Sequence, residues 1–186
     1  MRHMTPNVDT PIPLRKARVH EACGPGAASF AAVAAARVEA VLWVREVWQK
    51  EVINPAGLSA FFDPSQLLLA RTNNQTETLA VAEDALRDGA VPLVVMETSR
   101  PLNLREGRRL QLAAKAGQTT GLCLTPEGMG SNAAETRWRC APVFAVSDST
   151  LMRWEIIKNK SGTLRVWHVR WDAEARRLHM VPPAGE

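Results

Sequence analysis

The sequence predicts a doubly wound α/β domain, in which helices cover both faces of a mostly parallel sheet. Strand-like and helical segments alternate through five strands between residues 17 and 124. The connections between them are short, and right-handed crossovers turn such an alternation into a parallel sheet. After Gly130 the hydrophobic period changes to two, which predicts an antiparallel extension at the sheet edge.

The five strands of the predicted parallel sheet are apolar runs bounded by turn residues. They lie at 17–23, 38–44, 66–70, 92–96 and 119–124. The run at 92–96 is continuously apolar, which suits a strand that is covered on both faces. Proline at its first position is tolerated because it lies at the strand start.

Helices are predicted between these strands from helix propensity, caps and stops. They lie at 27–37, from Pro55 to about residue 63, at 75–88 and from about 104 to 116. An alanine-rich run gives the first its helix propensity, and proline begins the second. Asn74 with Glu77, and Asn103 with Glu106, predict capping boxes for the last two. Gly89 and Gly117 supply their predicted ends.

Four further strands are predicted in the C-terminal extension. They lie at 136–145, 151–158, 163–171 and 176–181, with turns at 159–162 and 172–175. We therefore expect a loosely ordered lead-in over residues 1–16, a single domain over 17–182 and a short tail at 183–186. No apolar run approaches the roughly 20 residues that span a bilayer, so we expect a cytoplasmic protein without a membrane contact.

Composition excludes several kinds of site. Three cysteines form no CxxC pair and lie in or beside predicted core strands, which favours buried free thiols. The four histidines have no ligand spacing with them, so no zinc site is predicted. Residues 1–135 hold fourteen basic and fourteen acidic side chains, whereas residues 136–186 hold nine and five. This asymmetry favours an acidic partner surface or nucleic acid, although a solvated face explains it equally.

The first strand-to-helix turn lacks a phosphate-binding loop. It reads Cys23-Gly24-Pro25-Gly26, whereas a P-loop needs GxxxxGK[ST] to cradle phosphates, neutralise their charge and hold Mg²⁺. No lysine occurs between Lys16 and Lys50. Each charge-assisted hydrogen bond is worth about 1.5–3 kcal/mol. Losing three of them weakens binding roughly a thousandfold or more. We therefore expect no cofactor and no nucleotide hydrolysis.

Over residues 17–182 the chain resembles the RecA superfamily. Gly24 and Pro25 are similar to the start of a shortened P-loop, Glu46 stands where the family carries its catalytic glutamate, and Glu97 replaces the Walker B aspartate. The segment 153–160 is similar to the family's late strand ending in Lys-Asn-Lys, whose lysines lie at the protomer interface. These four positions, Gly24, Pro25, Glu46 and Glu97, are interpreted as vestiges of a nucleotide site. The resemblance makes the predicted fold RecA-like.

Shorter segments resemble the ImuA family, RecA-like accessory proteins of bacterial damage-induced mutagenesis. The similar segments are 41–44, 108–114, 120–122 and 136–139. The resemblance implies a non-catalytic adaptor that holds ImuB and an error-prone replicative-type polymerase in a translesion-synthesis complex. A cell-division inhibitor of the SulA type and a cryptic RecA-like ATPase are the alternatives, and a homo-oligomer is left open. The region of the first DNA-binding loop, 101–110, reads as capped helix, and 125–135 is short for the second.

Basic residues interleave with tryptophans in the C-terminal quarter. This mixture is found in single-strand binders, and tryptophan and arginine are also enriched at protein hot spots. A basic helix face, with Arg105, Arg108, Arg109 and Lys115, is a second hypothesis for phosphate or an acidic partner. The predicted partner or DNA contacts are Arg137, Arg139, Lys158, Lys160, Arg165, Trp167, Arg170 and Trp171. Protein docking, single-stranded DNA contact and a structural role all stay open for them.

Overall fold

A computed structural model describes residues 14–146 and 148–182. Most of the predicted lead-in, residues 1–13, and the predicted tail, 183–186, lie outside these ranges. The lead-in residues that are described contact the domain. Leu14 packs against the core, and the Arg15 guanidinium is 2.7 Å from the Glu135 carboxylate.

The described chain forms a single sheet with helices on its two faces. Its elements in chain order are β1 (Val19–Cys23), α1 (Ala27–Ala35), β2 (Val41–Glu46), α2 (Pro55–Leu58), β3 (Leu67–Thr72), α3 (Gln75–Asp88), β4 (Leu93–Glu97), α4 (Leu104–Gly117), β5 (Thr120–Leu124), β6 (Thr136–Pro142), β7 (Leu151–Asn159), β8 (Val166–Asp172) and β9 (Arg177–Val181). A short 3-10 helix at Pro64–Gln66 precedes β3. The strand order is β3-β2-β4-β5-β1-β6-β7-β8-β9.

This topology confirms the predicted α/β class with one adjustment. Strands β3, β2, β4, β5, β1 and β6 run parallel, and β7, β8 and β9 add to them in antiparallel order. The antiparallel extension therefore begins at β7, not at the first strand after Gly130. Strand β6 pairs in parallel with β1, and Glu21 lies opposite Arg137. The connection at 125–135 brings the chain back to the edge of the sheet at which β1 begins, so both strands run in the same direction.

Two apolar clusters cover the sheet. The larger cluster lies on the α1 face, where Phe30 packs against Trp138 and Trp154 with ring centroids 5.1 and 4.9 Å apart. The smaller cluster lies under α3 and α4 and includes Leu86 and Leu110. The continuously apolar β4 contributes to both clusters, as its sequence predicts, because alternate side chains point to opposite faces.

Helix α3 has the predicted bounds, but its cap differs in detail. The Asn74 side chain accepts a hydrogen bond from the Glu77 amide at 3.0 Å. The Glu77 carboxylate accepts one from the Asn73 amide, one residue before the position that a capping box needs. The box predicted for α4 is complete, because Asn103 and Glu106 bond reciprocally.

The end of α4 differs from the prediction. Gly117 is the last helical residue, and the left-handed position falls on Gln118, with φ 56°. Gly117 is needed for another reason, since a Cβ there would lie 2.0 Å from the Leu86 carbonyl oxygen. Gly89 does end α3 in the left-handed conformation, with φ 80°. The two glycines let the ends of α3 and α4 touch.

Candidate functional site

A cleft of about 590 Å³ opens at the carboxyl ends of β1, β2, β4 and β5, beside the start of α1. Open α/β sheets place ligand sites at this edge. Most of the lining is apolar and includes Trp43, Leu58, Phe61 and Leu124. The charged side chains on its wall are Arg45, Glu51 and Glu97. Gly24 and Pro25, which resemble the start of a shortened P-loop, form part of its wall.

The turn that begins α1 is pressed against β6 and leaves no phosphate cradle. Only three residues, Gly24 to Gly26, separate β1 from α1. The Gly26 amide, which a phosphate would need, donates to the Cys140 carbonyl at 2.9 Å. Gly24 has φ 88°, and a Cβ there would lie 2.6 Å from the same oxygen. The residues present therefore do not fit the phosphates of a nucleotide bound in the usual mode.

Glu97, which the resemblance to the RecA superfamily matches to the Walker B aspartate, is held by an arginine and a tryptophan. Glu97 accepts a hydrogen bond from the Trp43 indole at 2.7 Å and lies 3.2 Å from the Arg45 guanidinium. Arg45 also donates to the Gln49 side chain and the Glu51 carbonyl, both at 2.6 Å. The Arg45 side chain is 9% exposed, and its Nε has no hydrogen-bond partner in the part of the chain that the structure describes. A guanidinium thus neutralises the carboxylate that would face magnesium.

Glu46 does not share this cleft. It follows Arg45 on β2, and neighbouring strand residues point to opposite faces. The Glu46 carboxylate accepts hydrogen bonds from Ser99 Oγ at 2.9 Å and from the Trp48 indole. Glu46 and Glu97, which were both interpreted as vestiges of one nucleotide site, therefore point to opposite faces of the sheet.

Three of the predicted contact residues bind the loop between β5 and β6. Lys158 donates to the carbonyls of Ser131, Asn132 and Ala134 at 3.2, 2.8 and 2.6 Å, and Lys160 donates to that of Ala133 at 2.7 Å. Burial is the main reason that the pKa of Lys158 is lowered. The third residue, Arg137, donates to the Ser131 carbonyl at 2.8 Å and pairs with buried Glu21 at 2.7 Å. These three cations therefore pair with backbone carbonyls and with a buried carboxylate of their own chain.

Strand alternation separates the basic residues from the tryptophans. Trp138, Trp154 and Trp171 all join the core on the α1 face. Trp171 stacks on Phe61, donates to the Ala60 carbonyl at 2.8 Å and is 8% exposed, which favours the structural role among the three left open for it. Trp167 is half-buried against Trp138, at 5.5 Å.

The remaining predicted contacts are exposed. Arg139 pairs with Glu127 at 2.8 Å, Arg170 lies 3.8 Å from Asp148, and Arg165 donates to Thr163 Oγ1 at 3.2 Å. Arg139 and Arg170 point to the sheet face opposite the tryptophans. These two arginines therefore do not share a surface with the tryptophans, as stacking and charge neutralisation of single-stranded DNA would need. Contact with any partner stays a prediction for these residues.

The chemistry that the described residues offer is limited. Cys23, Cys123 and Cys140 are buried free thiols, as predicted, and burial raises the pKa of each. Within residues 14–146 and 148–182, no three His, Cys, Asp or Glu side chains come together in a way that could hold a metal ion.

Sequence reasoning missed Arg45 and Trp43. The resemblance to the RecA superfamily points to Glu46 and not to Arg45, the residue before it. The observed β2 extends to Glu46, two residues beyond its predicted end. Had that end been placed correctly, the period of two from Trp43 would have put Arg45 on the tryptophan's face. The signal was present in the strand period.

Comparisons with known proteins concern the fold and the sequence resemblance of the chain. No family model matches the chain. It is 29% identical over 150 residues to Protein ImuA of two strains of Caulobacter vibrioides, which covers 78% of this chain and 58% of that protein. The chain thus spans less than two thirds of the length of these relatives. The RadB recombinase structure superimposes with a TM-score of 0.67 and 13% identity, covering 90% and 92% of the two chains. The fold is RecA-like, and the sequence resembles ImuA.

No described helix has the length and apolar character needed to span a bilayer.

Proposed function

We propose that this protein is a non-catalytic adaptor of a translesion-synthesis complex, which holds ImuB and an error-prone polymerase together. The similarity to ImuA supports the pathway. The Arg45–Glu97 ion pair is the observation that supports a non-catalytic role. Its buried guanidinium lies 3.2 Å from the carboxylate and takes the place of a metal ion. Charge neutralisation that a nucleotide site obtains from magnesium is here built into the protein.

The pinned turn supports the same proposal from the phosphate side of the cleft. Phosphate binding at a helix start needs free backbone amides, and the Gly26 amide is bonded to β6. Opening the turn would break this bond and move Gly24 away from Cys140. The protein therefore keeps the RecA-like shape without the groups that bind and cleave ATP. Its contribution to the complex is the arrangement of its surfaces.

Affinity purification of the tagged protein from DNA-damaged cells tests this function. We expect ImuB and a polymerase to co-purify equally well in ATP-depleted lysate and in lysate with added Mg-ATP. Recovery of a cell-division protein instead would favour the SulA-type alternative. A complex that forms only with hydrolysable ATP would contradict the non-catalytic proposal and favour the cryptic ATPase.

A further inference from the structure

The outward side of α4 carries an uncovered patch of two leucines and three cations. We define this patch, the outer face of α4, by Leu104, Arg105, Arg108, Leu112 and Lys115, all of which are exposed. Leu104 is 52% exposed and Leu112 67%. With about 3.6 residues per turn, their spacing places all five side chains on one side of the helix. The opposite side of α4 packs on the sheet through Leu110 and Ala114.

Among the described residues the cations of this face have no acidic partner, unlike the charges at its border. No carboxylate of the described chain lies within ion-pairing distance of Arg105, Arg108 or Lys115. At the border with α3, Arg109 pairs with Glu83 at 2.8 Å. The acidic residue of α4, Glu106, is taken by Arg100 at 2.7 Å. The free positive charge is therefore concentrated on the side of the helix that faces outward.

The helix that carries this face is rigidly held. Its capping box fixes the start, and Gly117 brings its end against α3. In the middle, the Gln111 side chain donates to the carbonyls of Val19 and Ala133 at 2.8 and 3.0 Å, and accepts from the Val19 amide. Gly107 lies so close to Ser131 and Ala133 that a Cβ would clash with both. A partner would meet a preorganised surface, which reduces the cost of binding.

We propose that the outer face of α4 docks an acidic, amphipathic helix of a protein partner. Leu104 and Leu112 lie two turns apart along α4, a distance of about 12 Å. A row of leucines on the partner helix can therefore pack between and over them. Glutamates beside that row would meet Arg105, Arg108 and Lys115. This inference rests on the adaptor function and assigns it one contact surface.

Two features favour a protein helix over nucleic acid. Phosphates would pair with the cations but leave both leucines exposed to water, whereas an amphipathic helix covers leucines and cations together. Single-stranded binders also stack bases on aromatic side chains, and the outer face of α4 has none. Charge complementarity then selects an acidic partner and disfavours a basic one.

Fluorescence anisotropy with two labelled peptides tests the proposal. The first is a helical peptide with leucines at i, i+4 and i+7 spacing and glutamates between them. The second carries lysine in place of each glutamate. We expect the glutamate peptide to bind at least about tenfold more tightly. Leu112→Glu should weaken its binding at least tenfold, and the Arg105→Glu, Arg108→Glu double variant should reverse the preference toward the lysine peptide.

Leu164→Glu is the matched control, because Leu164 is 62% exposed on another part of the surface. It should leave both affinities unchanged, and circular dichroism with thermal melting checks that each variant is folded. Failure of the glutamate peptide to bind, or equal binding to wild type and Leu112→Glu, would overturn the proposal. An oligothymidine that displaces the glutamate peptide and binds Leu112→Ser as tightly as wild type would identify a nucleic-acid face instead. None of these outcomes depends on ATP, so they are separate from the purification test of the adaptor function.

Discussion

Arg45 determines which groups the cleft can accept. A buried ion pair costs free energy to desolvate, and removing one partner leaves the other charge buried without compensation. The Arg45 side chain is 9% exposed, and its Nε has no hydrogen-bond partner among the described residues. The buried guanidinium is therefore stabilised by the contacts of its other two nitrogens. The cleft therefore holds a guanidinium against the carboxylate that a metal ion would otherwise contact.

We predict that Glu97→Ala lowers the free energy of unfolding by about 3 kcal/mol, because it leaves the Arg45 guanidinium buried without its carboxylate. The Arg45→Met, Glu97→Leu double variant should recover most of that loss, since apolar replacement of a buried pair is often neutral. Urea denaturation of the three proteins measures both effects. Equal stability of wild type and Glu97→Ala would contradict the structural role of this pair.

His20 couples stability to pH. Its Nδ1 lies 2.7 Å from Thr136 Oγ1, and burial is the main reason that its pKa falls from 6.5 to about 4. A depressed pKa means that the histidine stabilises the fold fully above pH 6.5 and that this stability is lost as the pH falls toward 4. The loss reaches about 3 kcal/mol.

We predict that His20→Gln removes this dependence between pH 6.5 and 5. Carboxylates with lowered pKa values lose their stabilisation only below about pH 5, so the histidine is separated from them in this window. Chemical denaturation at intervals of half a pH unit measures the difference between the two proteins. Parallel loss of stability in wild type and variant across this window would show that another group is responsible.

At the scale of elements, the approach of α3 to α4 depends on glycine. A Cβ at Gly117 would lie 2.0 Å from the Leu86 carbonyl oxygen and 2.7 Å from that of Arg87. These are backbone atoms, which cannot rotate away. We predict that Gly117→Ala lowers the free energy of unfolding by about 2 kcal/mol.

Gly57→Ala is the control for this variant, because Gly57 also lies in a helix but a Cβ there has its nearest neighbour at 3.9 Å. It should leave stability unchanged or raise it, since alanine has the higher helix propensity. Thermal melting compares the two variants with wild type. A Gly117→Ala protein as stable as wild type would contradict the close helix contact.

The elements also show which parts of the site the sequence could predict. Helix α3 was predicted to the residue because its cap, apolar stripe and terminal glycine all agree. The period of two predicts that a tryptophan and the arginine next to it on a strand point to opposite faces. The composition of the C-terminal quarter, a mixture of arginine and tryptophan, does not show this separation. The lysine contacts were out of reach, because Lys158 binds carbonyls 24 to 27 residues earlier in the chain. No local pattern encodes such a pairing.

At the scale of the whole molecule, the fold was predictable because alternation and loop length leave few topologies. The missing P-loop was equally visible, since it is a local motif. The parallel direction of β6 could not be predicted, because parallel and antiparallel strands share the same side-chain period of two. Arg45 and Glu97 lie on two strands and are 52 residues apart in the chain, so no local pattern could predict their ion pair.

The central claim is that the RecA-like site is closed to nucleotide, and the melting temperature in millimolar Mg-ATP tests it most directly. A ligand at a hundred times its dissociation constant stabilises a protein by about 2.7 kcal/mol, which is readily detected in a thermal melt. We predict the same melting temperature with and without Mg-ATP, alongside a P-loop ATPase that shows the expected rise. A clear increase that requires both ATP and magnesium would contradict the claim.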